Sequence, residues 1–244
     1  MLEKTGTSQN LIVTHAVLTG LTPLIPIPLL DDLVKSYFQR RLTRKLAETR
    51  GQPLSEQDVK MLADDRGGCL LGCFGTVLIY PVKKIFRKIF FILEWKRAID
   101  TASRAYYHGY LMEYAFAQQW CAPAGPRSPA EVRAAIDLVL SQVNTSPVER
   151  AVGGVFRQSK SALKGAVNLL QRSLRRITGK PSENEVALAV ESVEQEEERQ
   201  VEGVVSRLQK AIESIPAEHF ENLRAQFRIA LGLQDSGESH KRDI

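Results

Sequence analysis

The chain has few of the residues from which catalytic and metal centres are built: three cysteines and four histidines in 244 residues. So small and odd a cysteine count gives no disulfide framework and fits a reducing compartment. His15, His108, His219 and His240 stand in separate segments, with neither the ligand spacing of a metal site nor the neighbours of a nucleophile triad. Cys69 and Cys73 share a helix face by spacing, but no His or second cysteine pair accompanies them. A glycine-rich phosphate loop is missing as well. Gly67-Gly68 runs into apolar residues and lacks the Lys-Ser/Thr that would grip phosphate and magnesium. Glu94, Asp100 and Glu113 punctuate one helical pattern without defining a buried pair. These absences predict no enzymatic activity, no cofactor, no metal and no small-molecule substrate.

Addressing signals are equally sparse. Residues 1–10 hold one Lys and one Glu, and the apolar run behind them ends in prolines rather than a small-residue cleavage site, so no secretory leader is expected. Residues 239–244 match no prenylation or retention signal, and the chain shows no internal repeat. A net charge of +5 is too small to diagnose a partner. Its distribution says more. Residues 148–180 hold eight Lys or Arg against one Glu, whereas residues 183–202 hold eight Glu against one Arg. Such blocks have partners inside or outside the chain.

What the chain does have is helical periodicity and two strongly apolar segments, residues 11–30 and 67–82. Residues 11–21 read as a short apolar helix, stopped where Pro23, Pro26 and Pro28 remove backbone donors. From about 29 to 50, Leu30, Leu33, Val34, Tyr37, Phe38, Leu42 and Leu46 recur at spacings of three and four, with Lys35, Arg40, Arg44 and Lys45 on the other face. Ser55 with Asp58 predicts a capped short helix ending at Gly67-Gly68. A long pattern then runs from 82 to about 120, rich in aromatics from Tyr106 onward. Arg104, Tyr106, Tyr107, His108 and Tyr110 read as a Tyr-rich packing face with hydroxyls at its rim.

The sequence predicts an all-α protein, a helical bundle with an apolar Pro-containing N-terminal hairpin and long amphipathic helices. Residues 123–130 form the clearest linker, dividing a module at 1–122 from one at 131–232, with a disordered tail at 233–244. Ser128, Pro129 and Glu131 mark a capped helix start. Helical phase continues through 148–177, breaks at Gly179-Lys180-Pro181-Ser182, and resumes behind a Ser182/Glu185 capping box through Ile212. Pro216 opens a last short helix.

Both apolar segments bear on membrane association. Residues 11–30 have the roughly 20 residues needed to cross a bilayer, but contain three prolines and His15. Residues 67–82 are sixteen long and basic on both flanks, which conflicts with a crossing orientation and favours a re-entrant, interfacial or core-buried hairpin. Within them Gly68 and Gly72, with Cys69 and Cys73 one position further round, form a small-residue helix-packing stripe. Residues 83–97 carry the strongest membrane signal. Ile85, Phe86, Ile89, Phe90 and Trp95 supply bulky apolar groups, while Lys83, Lys84, Arg87 and Lys88 can meet anionic headgroups.

The basic helix at 148–177 could bind lipid too, through Arg150, Arg157, Lys160, Lys164, Arg172, Arg175 and Arg176. The favoured reading is that the acidic helix behind it folds back antiparallel and partly neutralises it while the Val/Leu stripes pack. The same opposite charges would also make a latch, with membrane or partner competing for the basic face. The favoured expectation is a non-enzymatic protein docked peripherally or re-entrantly on the cytoplasmic side of an anionic membrane, with a C-terminal module for protein partners or self-association. A soluble helical-bundle adaptor is second. Nucleic-acid binding through the Lys35–Arg50 and Arg157–Lys180 faces ranks third, because the apolar segments have no role in it.

Overall fold

The computed structural model describes the backbone over residues 2–25, 30–64, 87–122, 125–177 and 181–233, with side chains from residue 6 in the first stretch and residue 93 in the third. The protein is an all-α helical bundle. Among the described residues there are ten α-helices, one 3-10 turn and no strand. The helices are α1 (Leu2–Leu21), α2 (Leu30–Thr49), α3 (Glu56–Ala63), α4 (Arg87–Ala117), α5 (Pro129–Gln142), α6 (Ser146–Gln158), α7 (Lys160–Leu174), α8 (Glu183–Glu191), α9 (Glu194–Glu213) and α10 (Ala217–Ala230).

Helix α1 is the spine. Ile12, Val13, Ala16, Val17, Leu18 and Leu21 are all buried, and so are His15, Thr19 and Thr22. It packs on α4, α2 and α9. Withdrawing it into a bilayer would keep its own side chains in apolar surroundings but would expose the faces of α2, α4 and α9 that now cover it, each buried Val, Leu or Ile being worth about 1.5–3 kcal/mol. The first apolar segment thus has its partner within the protein. No described helix is long and apolar enough to cross a membrane. The second apolar segment, with Gly68, Cys69, Gly72 and Cys73, lies outside the described residues.

Helix α1 begins at Leu2, well before the expected start at 11. Extending an existing helix fixes one residue per hydrogen bond, a small cost beside nucleation. The polar extension is also anchored, since Gln209 Nε2 on α9 donates to Asn10 Oδ1 at 3.2 Å. At the other end Pro23 sits in the 3-10 turn Thr22–Leu24, and Thr22 Oγ1 donates to Thr19 O at 2.8 Å. Close approach to α4 is set by glycine. A Cβ at Gly20 would lie 2.5 Å from Ala102 Cβ and 3.0 Å from Ala98 O.

Three helix starts follow the serine-cap pattern. Ser55, Ser128 and Ser182 accept from the backbone N–H three residues on, and at Ser128 and Ser182 the Glu side chain returns the bond. Three other boundaries differ from the periodicity. Helix α3 stops at Ala63 rather than at Gly67-Gly68, because Asp64 turns to extended backbone and its carboxylate is held by Arg40. The phase through 148–177 is broken at Ser159 (φ −111°, ψ 20°), where the hydroxyl accepts from Arg207 of α9 at 3.3 Å. The phase through 183–212 is broken at Val193 (φ −120°, ψ 0°). A hydrophobic stripe continues across such a break, so periodicity alone does not register it.

Described helices on the two sides of segment 123–130 pack on each other. Helix α9 packs on α1, α8 on α2, and α6 and α5 on α4. The buried residues on both sides of it form one cluster, from Ile12 to Leu231.

Candidate functional site

The expected docking segment meets the described structure at the start of α4. Lys83, Lys84, Ile85 and Phe86 lie outside the described residues. Arg87, Lys88, Ile89 and Phe90 belong to the first turns of α4, with side chains that are not described. From residue 93 onward the surface is explicit. Leu93 is a bulky apolar side chain left 54 % exposed, and Lys96 and Arg97 beside it are exposed. Helix register places residues 89 and 90 on the side of α4 that carries Leu93, since positions three and four apart are neighbours. Arg97 reaches Glu94 at 3.4 Å, and partial burial raises the Glu94 carboxyl above its ordinary range.

Trp95 departs from the expectation for it. Its side chain is 9 % exposed and stands edge-on to Phe156 of α6, ring centroids 6.1 Å apart. The indole is thus a packing group that joins α4 to α6 and not a surface anchor. Above it the Lys160 ammonium lies 6.0 Å from the ring centroid. Ile99, one turn on, packs where Gly153 leaves room, a Cβ there standing 3.5 Å from Ile99 Cδ1. Residues 95–99 of α4 are therefore seated on α6, with the exposed Lys160 beside Trp95. Leu93, Arg157 and Lys160 were not picked out for this site from sequence. Leu93 stands four residues after Ile89, a signal that was legible, whereas the approach of α6–α7 depends on tertiary packing.

Helices α8 and α9 pack against α7. Three carboxylates of the acidic stretch, Glu183, Glu194 and Glu198, reach α2 and α3. Glu183 accepts from Arg40 Nη1 at 2.7 Å and lies 3.5 Å from Lys60 Nζ. Glu194 pairs with Arg41 and stands 3.6 Å from Lys45, whose ammonium is 3.9 Å from Glu198. Arg40, bonded also to Asp64 at 2.5 Å, holds the Glu183 carboxyl below its ordinary range. The basic face expected on α2 is thus engaged internally, while Arg157, Lys160, Lys164, Arg172, Arg175 and Arg176 remain exposed.

The Tyr-rich face of α4 is closed. Tyr106 and Tyr110 stack 6.3 Å apart and meet Phe220 of α10. Fully buried Tyr107 contacts His219 Nε2 at 2.7 Å, and burial pushes its phenol up and the His219 imidazole down. Beneath them, buried Arg133 of α5 donates to Leu62 O and Ala63 O at 2.9 and 3.2 Å, satisfying the last carbonyls of α3. It also grips Asp137 at 3.0 Å, and His108 Nε2 lies 3.0 Å from Leu62 O. These groups tie α3, α5 and α10 to α4. Two surface hollows, one lined by Asp58, Cys121, Ala122 and residues 125–129 and one over Asn168, Gln171, Arg172 and Arg175, are open to solvent. The described residues hold no cluster of His, Cys, Asp or Glu suited to a metal ion, and burial pushes the Cys121 thiol up to about 12.

Comparison of the chain with known protein families, with characterised proteins and with solved structures finds no match.

Proposed function

We propose that the protein is a non-enzymatic, peripheral membrane-docking protein whose contact with an anionic bilayer surface is the start of α4. The observation that carries this is the exposed Leu93 beside Lys96 and Arg97, at the foot of the basic-apolar stretch 83–92. A bulky apolar group ringed by cations suits the boundary between headgroups and acyl chains, where buried area and attraction to anionic lipid add. The cytoplasmic leaflet is the anionic one, in keeping with the sparse cysteines. The remaining helices would offer surfaces for a protein partner or a second copy.

The test is co-sedimentation of the full chain with phosphatidylcholine vesicles that contain or lack phosphatidylserine. Binding should require the anionic lipid, and Ile89→Asp with Phe90→Asp should weaken it more than about tenfold while circular dichroism stays that of the folded protein. Undiminished binding by this folded variant would refute docking through α4.

Burial of α1 in the core favours a second reading for the first apolar segment, a soluble helical-bundle adaptor. Recovery of the protein without detergent, with no vesicle binding at any lipid composition, is its signature. Nucleic-acid binding stays third, since an exposed leucine has no use on a phosphate backbone.

A further inference from the structure

We infer that the exposed stripe along the end of α6 and the length of α7 is a second anionic-membrane contact, so that α7 lies along the bilayer surface beside the start of α4. This rests on the membrane reading above, but on different residues. Helix α7 contains no Asp or Glu. Arg157, Lys160, Lys164, Asn168, Arg172 and Arg175 follow one another at spacings of three and four and are all exposed, with Arg176 beside them. At 1.5 Å per residue the 15 residues of α7 extend this face over about 22 Å. Glu183, Glu194 and Glu198 of the acidic stretch are engaged by Arg40, Arg41, Lys45 and Lys60.

The shape of the face selects the occupant. A long stripe of one sign over an open hollow suits a diffuse negative surface better than a single phosphate held in a pocket. At its Lys160 end the stripe meets Trp95 of α4, the helix that also carries the exposed Leu93. An exposed apolar group on that helix fits lipid and is wasted on nucleic acid. The break at Ser159 lets α7 leave the line of α6 where the two contacts join.

The experiment measures vesicle binding of the full chain, in phosphatidylcholine with and without phosphatidylserine, for three variants. Replacing Arg172, Arg175 and Arg176 together by Gln should weaken binding to the anionic vesicles about a hundredfold, roughly fivefold for each cation. Asn168→Lys, which adds a cation on the stripe, should tighten it about fivefold, a gain that misfolding cannot imitate. Arg104→Gln with Lys210→Gln, exposed cations on α4 and α9, should change it less than about twofold. If wild type binds and neither stripe variant differs from it, the inference is overturned while docking through α4 stands. If Ile89→Asp/Phe90→Asp still binds and the stripe variants respond as expected, docking through α4 fails and the stripe stands. Failure of wild type to bind overturns both. If the stripe variants alter binding of a DNA or RNA duplex but not of vesicles, the face belongs to nucleic acid and the inference is overturned.

Discussion

Two buried titratable side chains oppose each other in their response to pH. His15 of α1 is almost wholly enclosed; Nδ1 is 3.0 Å from Leu11 O, while Nε2 has no hydrogen-bond partner. Burial lowers its pKa from 6.5 to about 3, with Lys45 and Arg41 adding to the effect. The unfolded chain therefore binds a proton near pH 6.5 that the folded chain refuses, and stability drops as pH falls from about 6.5 toward about 3, at up to about 1.4 kcal/mol per pH unit. Glu197 of α9 is fully buried with neither carboxylate oxygen bonded, and burial raises its pKa well above 4.5, with Glu194 and Glu198 reinforcing the shift. Here the folded chain keeps a proton that the unfolded chain releases, so stability drops as pH rises from about 4.5 toward that raised value. Glu197→Leu should stabilise at pH 7 by about 1–3 kcal/mol, a gain that shrinks to the packing contribution below pH 4.5. His15→Leu should leave stability at pH 8 within about 1 kcal/mol and flatten the acid limb. Urea titrations from pH 4 to 8 check both. A gain from Glu197→Leu that does not depend on pH would mean the carboxyl is solvated, and an unchanged acid limb would dismiss His15.

At the scale of elements, glycines decide where helices touch and where they gain nothing from being glycine. Gly20 lets α1 approach Ala98 and Ala102 of α4. Gly203, exposed on α9, has nothing within 4 Å of where a Cβ would stand. The same substitution should therefore have opposite signs: Gly20→Ala should cost about 1–3 kcal/mol by forcing the helices apart, whereas Gly203→Ala should add up to about 1 kcal/mol of helix propensity. Thermal melts of the two variants decide it, and equal signs would show that the α1–α4 contact yields without cost. Much at this scale was legible in sequence because it is local. The Ser128 and Ser182 caps involve a side chain and a backbone three residues away. The stripe of α2, from Leu30 to Leu46, announces its buried face by spacing alone. What was not legible depends on partners far along the chain. Gly68 and Gly72 lie outside the described residues, whereas the close approach at Gly20, whose partner is Ala102, has no signal in local spacing. For the candidate site, residues 83–97 stood out by composition, but Trp95 was taken for a surface group because its neighbour Phe156 cannot be inferred from spacing.

For the whole molecule, charge placement joins the two ends of the chain. A latch between the basic 148–180 stretch and the acidic 183–202 stretch was the economical expectation, since the two are adjacent in sequence. Glu183, Glu194 and Glu198 cross to α2, where Arg41 also donates to Tyr37 Oη at 2.8 Å and burial lifts that phenol to about 12. With α9 also packed on α1, residues on both sides of segment 123–130 depend on each other for burial. The chain should accordingly unfold in one calorimetric transition, and two resolved transitions would mean that 1–122 and 131–232 fold separately. The Arg41–Glu194 pair gives the sharper measurement because both side chains are mostly shielded, 22 % and 14 % exposed. Arg41→Met and Glu194→Met should each cost about 1–3 kcal/mol, and the double variant should cost less than their sum by about 1–2 kcal/mol. That coupling should survive raised salt better than the outer Arg44–Glu56 pair, whose groups are 44 % and 73 % exposed. A coupling below about 0.3 kcal/mol would class the link as an ordinary surface ion pair and leave the Arg40–Glu183 and Lys45–Glu198 pairs and apolar packing to hold α8 and α9 in place.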